Sequence, residues 1–168
     1  GRSVAIFDRA HGNAAIRALT VASHEFLQSP AFPVRQSILA PRGVIYVADD
    51  AQLGRLHDFF AAIRGLAPSA TIRDGAFAIE RVPILRQTAA AACVWDPAAA
   101  DIDVAALLEG WLQDFRRRGG ILKLRAVVEH LDQRGSGWRA RTTDGEYSAR
   151  VIVNAAGAWA DEIAVCAG

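Results

Sequence analysis

The 168 residues predict an α/β fold carrying an antiparallel insertion. Three observations lead there. Several segments repeat apolar residues at the 3.6-residue helical period, each opened by a capping residue. A run of short β segments between residues 121 and 149 is broken by Gly-containing turns. The apolar stretch Val151-Ile152-Val153 then enters a knot of small residues and a further helical pattern, as a strand covered on both faces would.

Taken in order, residues 14–27 place Ile16, Leu19, Ser23 and Phe26/Leu27 on one helical face, with Asn13 as N-cap. Residues 29–48 hold three prolines and two β-rich runs, Ser37–Leu39 and Val44–Val47, joined by the turn Pro41-Arg42-Gly43. A second helix is expected over 51–64, with Leu53, Leu56, Phe59, Phe60 and Ile63 inward, Asp50 capping it and Gly65 ending it. The span up to residue 101 offers little beyond alanine-rich patches at 89–92 and 98–100.

The third helix carries the most local signals. Asp103 is its N-cap, Ile102 and Leu107 have hydrophobic-staple spacing, and Val104, Leu107, Leu108, Trp111, Leu112 and Phe115 form its apolar face. Arg116, Arg117 and Arg118 fill the last turn, where cations suit the negative end of the helix dipole, and Gly119-Gly120 stops it. The arginine run therefore reads as a helix end rather than a nucleic-acid patch. Strands are expected at 121–124 with 127–131, at 138–143 and at 147–154, with turns at 134–137 and Asp144-Gly145. A last helix is expected over 158–167.

Composition narrows the function. With 52% hydrophobic and 22% charged residues the chain is globular rather than disordered. A net charge of +1 gives no electrostatic case for nucleic acid or an acidic membrane. No stretch has the roughly 18 apolar residues of a membrane span, and no secretory pattern opens the sequence. Cys93 and Cys166 form no ligand or disulfide framework, which points to a reducing cytoplasm, peripheral membrane association included. The absence of Met and the start at Gly1 suggest an internal fragment of something longer.

Among chemistries, the four histidines His11, His24, His57 and His130 show no metal-ligand spacing, so no metal is expected. No nucleophile elbow or P-loop is present. Asp101 and Asp103 read as capping residues rather than paired acid–base catalysts. Residues 151–157 have a specific ligand argument: small side chains at a strand end let a phosphate-bearing group approach the backbone. Small residues are also common at tight strand-to-helix turns that meet only protein.

Five blocks carry a family resemblance: GRSVAIF at 1–7, AIRALTVAS at 15–23, VPILR at 82–86, DPAAADIDVAAL at 96–107 and VIVNAAGAWADEIA at 151–164. Together they resemble the FAD-dependent D-amino-acid oxidase/dehydrogenase superfamily, the group that includes glycine oxidase and sarcosine oxidase, nearest to its D-arginine dehydrogenase type. The resemblance implies an incomplete FAD-binding domain of glutathione-reductase-like, Rossmann type, with a β-meander and part of an α+β substrate domain. By it, 1–30 form the flavin-side loop and helix, 31–97 part of the substrate domain, and 98–168 the rest of the FAD domain. Gly1, Arg2 and Ser3 would wrap the cofactor, Ile6 would lie near the isoalloxazine, Val128 would offer its backbone to adenine, and Ala156 and Gly157 would lie near the pyrophosphate. Trp159 reads as helix-to-sheet packing.

The implied reaction oxidises the Cα–N bond of a D-amino acid, glycine or related amine, by hydride transfer to FAD and hydrolysis of the imine. Oxygen or a quinone would accept the electrons. The alternatives are a sarcosine-type N-demethylating oxidase and a non-catalytic α/β binding module without cofactor. No catalytic residue is assigned, because the family's carboxylate-binding arginine would lie beyond Gly168. His11 stands in a loop, 8–12, that covers substrate in the resembling enzymes, where a tyrosine is common. Val44 and Ile45 replace the carboxylate that a cationic substrate side chain would need, so a neutral, apolar D-amino acid is expected rather than D-arginine.

Overall fold

The computed structural model describes residues 5–167, so Gly1, Arg2 and Ser3 lie outside the described residues. The chain divides into two compact units, Gly1–Arg118 and Gly119–Gly168. In the first the elements run β1 (Ile6–Phe7), α1 (Ala14–Gln28), β2 (Leu39–Pro41), β3 (Val44–Ala48), α2 (Leu53–Ile63), β4 (Thr71–Asp74), α3 (Gly75–Arg81), β5 (Ala92–Asp96), β6 (Ala100–Ile102) and α4 (Val104–Arg117).

Two antiparallel three-stranded sheets organise this unit, in the orders β1-β6-β2 and β3-β5-β4. Strands β2 and β3 are neighbours in sequence yet belong to different sheets. The turn between them is fixed by the Ala99 carbonyl, which accepts from the amides of Arg42 (3.1 Å) and Gly43 (2.8 Å). Gly43 has φ +77°, and a Cβ there would stand 1.9 Å from the Trp95 ring, so glycine is required on both counts. The central strand β5 falls in the alanine-rich span to which no element was assigned. Its Cys93 and Val94 are fully buried.

The caps decide where helices start. Asn13 accepts from the Ile16 amide at 3.0 Å, as expected. Before α2 the capping residue is Asp49, not Asp50: Asp49 and Gln52 exchange side-chain to backbone hydrogen bonds in a capping box. Asp50 instead lies inside the resulting 3-10 turn. Asp103 accepts from Ala106 at 2.9 Å, and Ile102 and Leu107 pack on one cluster, the expected staple. At the other end of α4, Arg117 and Arg118 bind Asp114, and Gly119 turns the chain at φ +83°.

Three apolar clusters fill the unit. One gathers Ala10, Ala48, Leu56, Ile63 and Val94, with Tyr46 and Phe59 against them. A second gathers Phe7, Leu27, Phe32, Ile38 and Ala100. The third joins Ala78 and Cys93 to Ile45 and Phe77. The apolar faces read from the sequence are only partly inside. Ile16 and Leu19 of α1 and Val104, Leu108, Trp111 and Phe115 of α4 are exposed, because a helical period reports amphipathicity and not what covers it.

The second unit is a meander of β7 (Val128–Arg134), β8 (Gly137–Thr142) and β9 (Gly145–Ala149), followed by α5 (Ala160–Val165). Gly135, at φ +58°, supplies the positive dihedral that its two-residue hairpin loop needs. Residues 121–124 form no strand. Nor do Val151–Val153, and Val151 and Val153 are 72% and 81% exposed. Among the described residues no backbone–backbone hydrogen bond reaches 150–155, and an extended segment without a ladder partner has nothing to define it as a strand. Trp159 is 64% exposed and does not serve as helix-to-sheet packing.

Candidate functional site

One region, in the second unit, brings expected site residues together. In the second unit an apolar hollow of about 370 Å³ lies between the meander, residues 152–156 and α5. Val128, Ala149, Ile152, Ala156 and Ile163 line it, with the ring of Tyr147. Val128 heads β7 opposite Thr142, just before a register shift in the ladder. Val128 and Ala156, 28 positions apart in sequence, thus share one cavity wall.

The electrostatics of this wall are local. The Tyr147 hydroxyl donates to Asp144 Oδ2 at 2.7 Å, and Lys123 Nζ lies 3.2 Å from the same oxygen and 5.8 Å from the Tyr147 ring centre. The Tyr147 hydroxyl and Lys123 hold the Asp144 carboxyl below the usual carboxylate range. Asn154 donates to the Ala160 carbonyl at 2.8 Å and accepts from the Ala156 amide at 3.3 Å, pinning the small-residue segment to the start of the helix. Gly157 follows at φ +59°, and among the described residues none beyond its chain neighbours comes within 4 Å of a Cβ built on it.

An FAD group fits these features on chemical grounds. The hollow is lined by apolar side chains, with small ones at Ala149, Ala155 and Ala156, as suits a flat heterocycle. Among the described residues the amides of Ala155 and Gly157 have no partner, and donors of that kind suit pyrophosphate oxygens. The helix end contributes less than its position in the sequence suggested. Helix α5 is six residues long and carries Asp161 and Glu162 in its first turn, so its dipole already faces carboxylates.

In the first unit the expected substrate residues occupy a loop and a strand. The loop alternates: Asp8 (8% exposed) and Ala10 (1%) point inward, while Arg9 is half-buried and His11 is exposed. Asp8 accepts from the Ala10 amide at 2.8 Å and from the Tyr46 hydroxyl. Tyr46 stands on β3 with its ring 4.6 Å from that of Phe59. Burial, and then the bond to Asp8, push the Tyr46 hydroxyl above its ordinary range, so it remains a donor.

Strand alternation places Val44 on the same face as Tyr46 and sends Ile45 to the opposite cluster with Phe77. Val44 and Ile45 therefore do not act as a pair. Val44 is opposite Asp96, but that carboxylate is buried and occupied by Ser69 (2.6 Å) and the Ala98 amide (3.0 Å). Ile6 lies in β1 opposite Asp101 and is partly exposed. Sequence reasoning missed Asp8, Tyr46 and Tyr147. For Asp8 the available signal was its place in an Asp-x-Ala loop, where a carboxylate can accept from the amide two residues on.

Among the described residues no group of His, Cys, Asp and Glu gathers as a metal site, and no helix is long and apolar enough to cross a membrane.

The chain is 35% identical over 85 residues to mitochondrial dimethylglycine dehydrogenase of Homo sapiens, a match covering 50% of this chain and 10% of that protein. Its fold is similar to that of glycine oxidase from Geobacillus kaustophilus, with TM-score 0.74 and 18% identity over 96% of this chain and 46% of that one. It is also similar to FAD-bound L-alpha-glycerophosphate oxidase from Mycoplasma pneumoniae, with TM-score 0.79 and 10% identity over 98% of this chain and 46% of that one. The chain thus spans less than half the length of each of these proteins. Residues 5–167 match the family described as "DAO: FAD dependent oxidoreductase", whose cofactor is FAD, and the chain belongs to that family.

Proposed function

We propose that this chain is part of a flavoenzyme that oxidises the Cα–N bond of a D-amino acid, glycine or related amine. The observation that supports it most directly is the shared hollow of Val128 and Ala156 in a chain of the FAD-dependent family. In this reading Gly1, Arg2, Ser3, Ile6, Val128, Ala156 and Gly157 hold the cofactor, while His11 and Val44 meet the substrate. Residues 1–30 and 98–168 belong to the FAD domain and 31–97 to the substrate domain. Bound FAD supplies the acceptor for a hydride leaving the carbon next to nitrogen. The chain's own share is to orient that C–H bond and exclude water. The product imine takes up water and releases ammonia and an oxo acid. Either oxygen or a quinone accepts the electrons, and the expected setting is the cytoplasm.

Val44 on the Tyr46 face, with Asp96 already occupied by Ser69 and Ala98, favours an uncharged substrate side chain over D-arginine. A second reading is supported by the likeness to dimethylglycine dehydrogenase. There the hydride would leave an N-methyl carbon, and hydrolysis would release formaldehyde and the demethylated amine.

The test uses the longer polypeptide carrying these residues, with D-alanine, D-leucine, D-phenylalanine, D-arginine, glycine, sarcosine and dimethylglycine as substrates. Ammonia with an oxo acid supports the first reading and formaldehyde the second. D-Arginine as best substrate overturns the apolar preference, and turnover of none overturns both readings.

A further inference from the structure

The loop at 8–12 is fastened at two inward points. Ala10 is fully buried in the cluster of Ala48, Leu56, Ile63 and Val94. Asp8, also buried, bridges two donors: the Ala10 amide inside the loop and the Tyr46 hydroxyl on β3. Tyr46 is fixed in turn by its ladder position opposite Val94 and by the Phe59 ring of α2. The His11 amide closes the turn onto the Asp8 carbonyl at 3.4 Å, and Gly12, at φ +81°, passes the chain to the Asn13 cap of α1. The same amide hydrogen bond ties the His11 backbone to the loop that Asp8 and Ala10 anchor.

We infer that Tyr46 and Asp8 are positioning residues for substrate binding: their hydrogen bond clasps the 8–12 loop, and with it His11, against β3. The loop is then a fixed wall and not a swinging cover. The inference rests on the substrate role proposed for His11, but the clasp itself is testable without it.

The experiment uses the full-length, FAD-loaded protein with Tyr46→Phe, which removes only a hydroxyl and keeps the ring on Phe59. Trypsin cleavage after Arg9, mapped by mass spectrometry, reports loop opening. Cleavage is expected to accelerate about tenfold, the loss of one hydrogen bond to a carboxylate. KM for the best amine substrate is expected to rise by a similar factor of about ten, with kcat within about twofold. Asp8→Asn provides the conservative rescue, because its amide can donate to the tyrosine oxygen and its carbonyl can accept from Ala10. It should stay near wild type where Asp8→Ala resembles Tyr46→Phe. Unchanged cleavage in Tyr46→Phe overturns the clasp. Faster cleavage with unchanged KM overturns the positioning role, and kcat falling with KM constant does the same. If the wild type turns over no amine, the proposed function fails and the cleavage rates alone decide the clasp.

Discussion

The Tyr46 hydroxyl donates to the Asp8 carboxylate across 38 residues of sequence, joining the loop before α1 to the strand before α2. Because Asp8 also accepts from Ala10, one buried carboxylate satisfies two donors from separate elements.

Removing that acceptor should therefore cost more than an ordinary surface change. Asp8→Ala leaves the Tyr46 hydroxyl and the Ala10 amide without their partner, and should lower stability by about 2–3 kcal/mol. Asp8→Asn should lose less than about 1 kcal/mol, since it keeps hydrogen-bonding groups at both positions. Urea unfolding measures both. A loss under about 0.5 kcal/mol in Asp8→Ala would show that water replaces the carboxylate.

Two glycines should respond in opposite directions. At Gly75 a Cβ would fall 1.7 Å from the Ala90 carbonyl oxygen, a backbone atom of the strand connection that cannot step aside. Gly75→Ala should cost about 3 kcal/mol. Gly54 lies in the first turn of α2 with nothing within 4 Å of its Cβ, so Gly54→Ala should stabilise by about 0.5 kcal/mol through helix propensity. Thermal or urea midpoints decide both, and an equal response would contradict the packing described.

What the sequence displayed was local. Asn13 and Asp103 announced α1 and α4 because a cap and the period that follows it lie within a few residues of each other. The loop at 42–43 showed its glycine but not its role, since the partner carbonyl is at Ala99 and the obstructing ring at Trp95. The same limit explains why β5 escaped notice. Ala92–Asp96 is short, but pairing with β3 on one side and β4 on the other makes it a strand. At the site, Val128 and Ala156 came from family resemblance and share a wall. Asp8 showed only a local Asp-x-Ala turn signal and Tyr46 none, because their pairing across the chain exists only when the fold brings them together.

His24 gives the first unit a dependence on pH. Its ring stacks on Phe7 at 4.9 Å, and Arg9 Nη2 approaches both ring nitrogens at 3.1 Å. A guanidinium only donates, so it requires a neutral imidazole with one nitrogen free to accept. Burial and then the Arg9 charge lower the affinity of His24 for a proton below its ordinary 6.5. The unfolded chain consequently binds more protons between 6.5 and the lower folded value, and stability falls as pH drops through that window. Above 6.5 the contribution is complete. His24→Gln keeps an acceptor but cannot titrate, so it should lose less stability than wild type between roughly pH 7 and pH 5. Parallel curves for the two proteins would remove His24 as the cause.

The small-residue segment yields the sharpest test of the cofactor site, provided backbone strain is separated from contact. Gly157 has φ +59°, where a branched L residue costs on the order of 1–2 kcal/mol whatever surrounds it. Gly157→Val alone would therefore lose FAD either by distorting the turn or by blocking the ligand. Asparagine accepts this dihedral far better than valine, and among the described residues none beyond its chain neighbours comes within 4 Å of the Cβ position. In the full-length protein Gly157→Asn should thus unfold like wild type while still placing a side chain where the cofactor would pass. We expect its FAD affinity to fall at least about tenfold, near 1.4 kcal/mol, with Gly157→Val losing as much affinity and stability besides. Flavin absorbance on titration of the apoprotein, with melting curves of the apo forms, measures the two effects independently. Wild-type affinity in Gly157→Asn, beside reduced stability in Gly157→Val, would make this glycine a turn residue that the cofactor never meets.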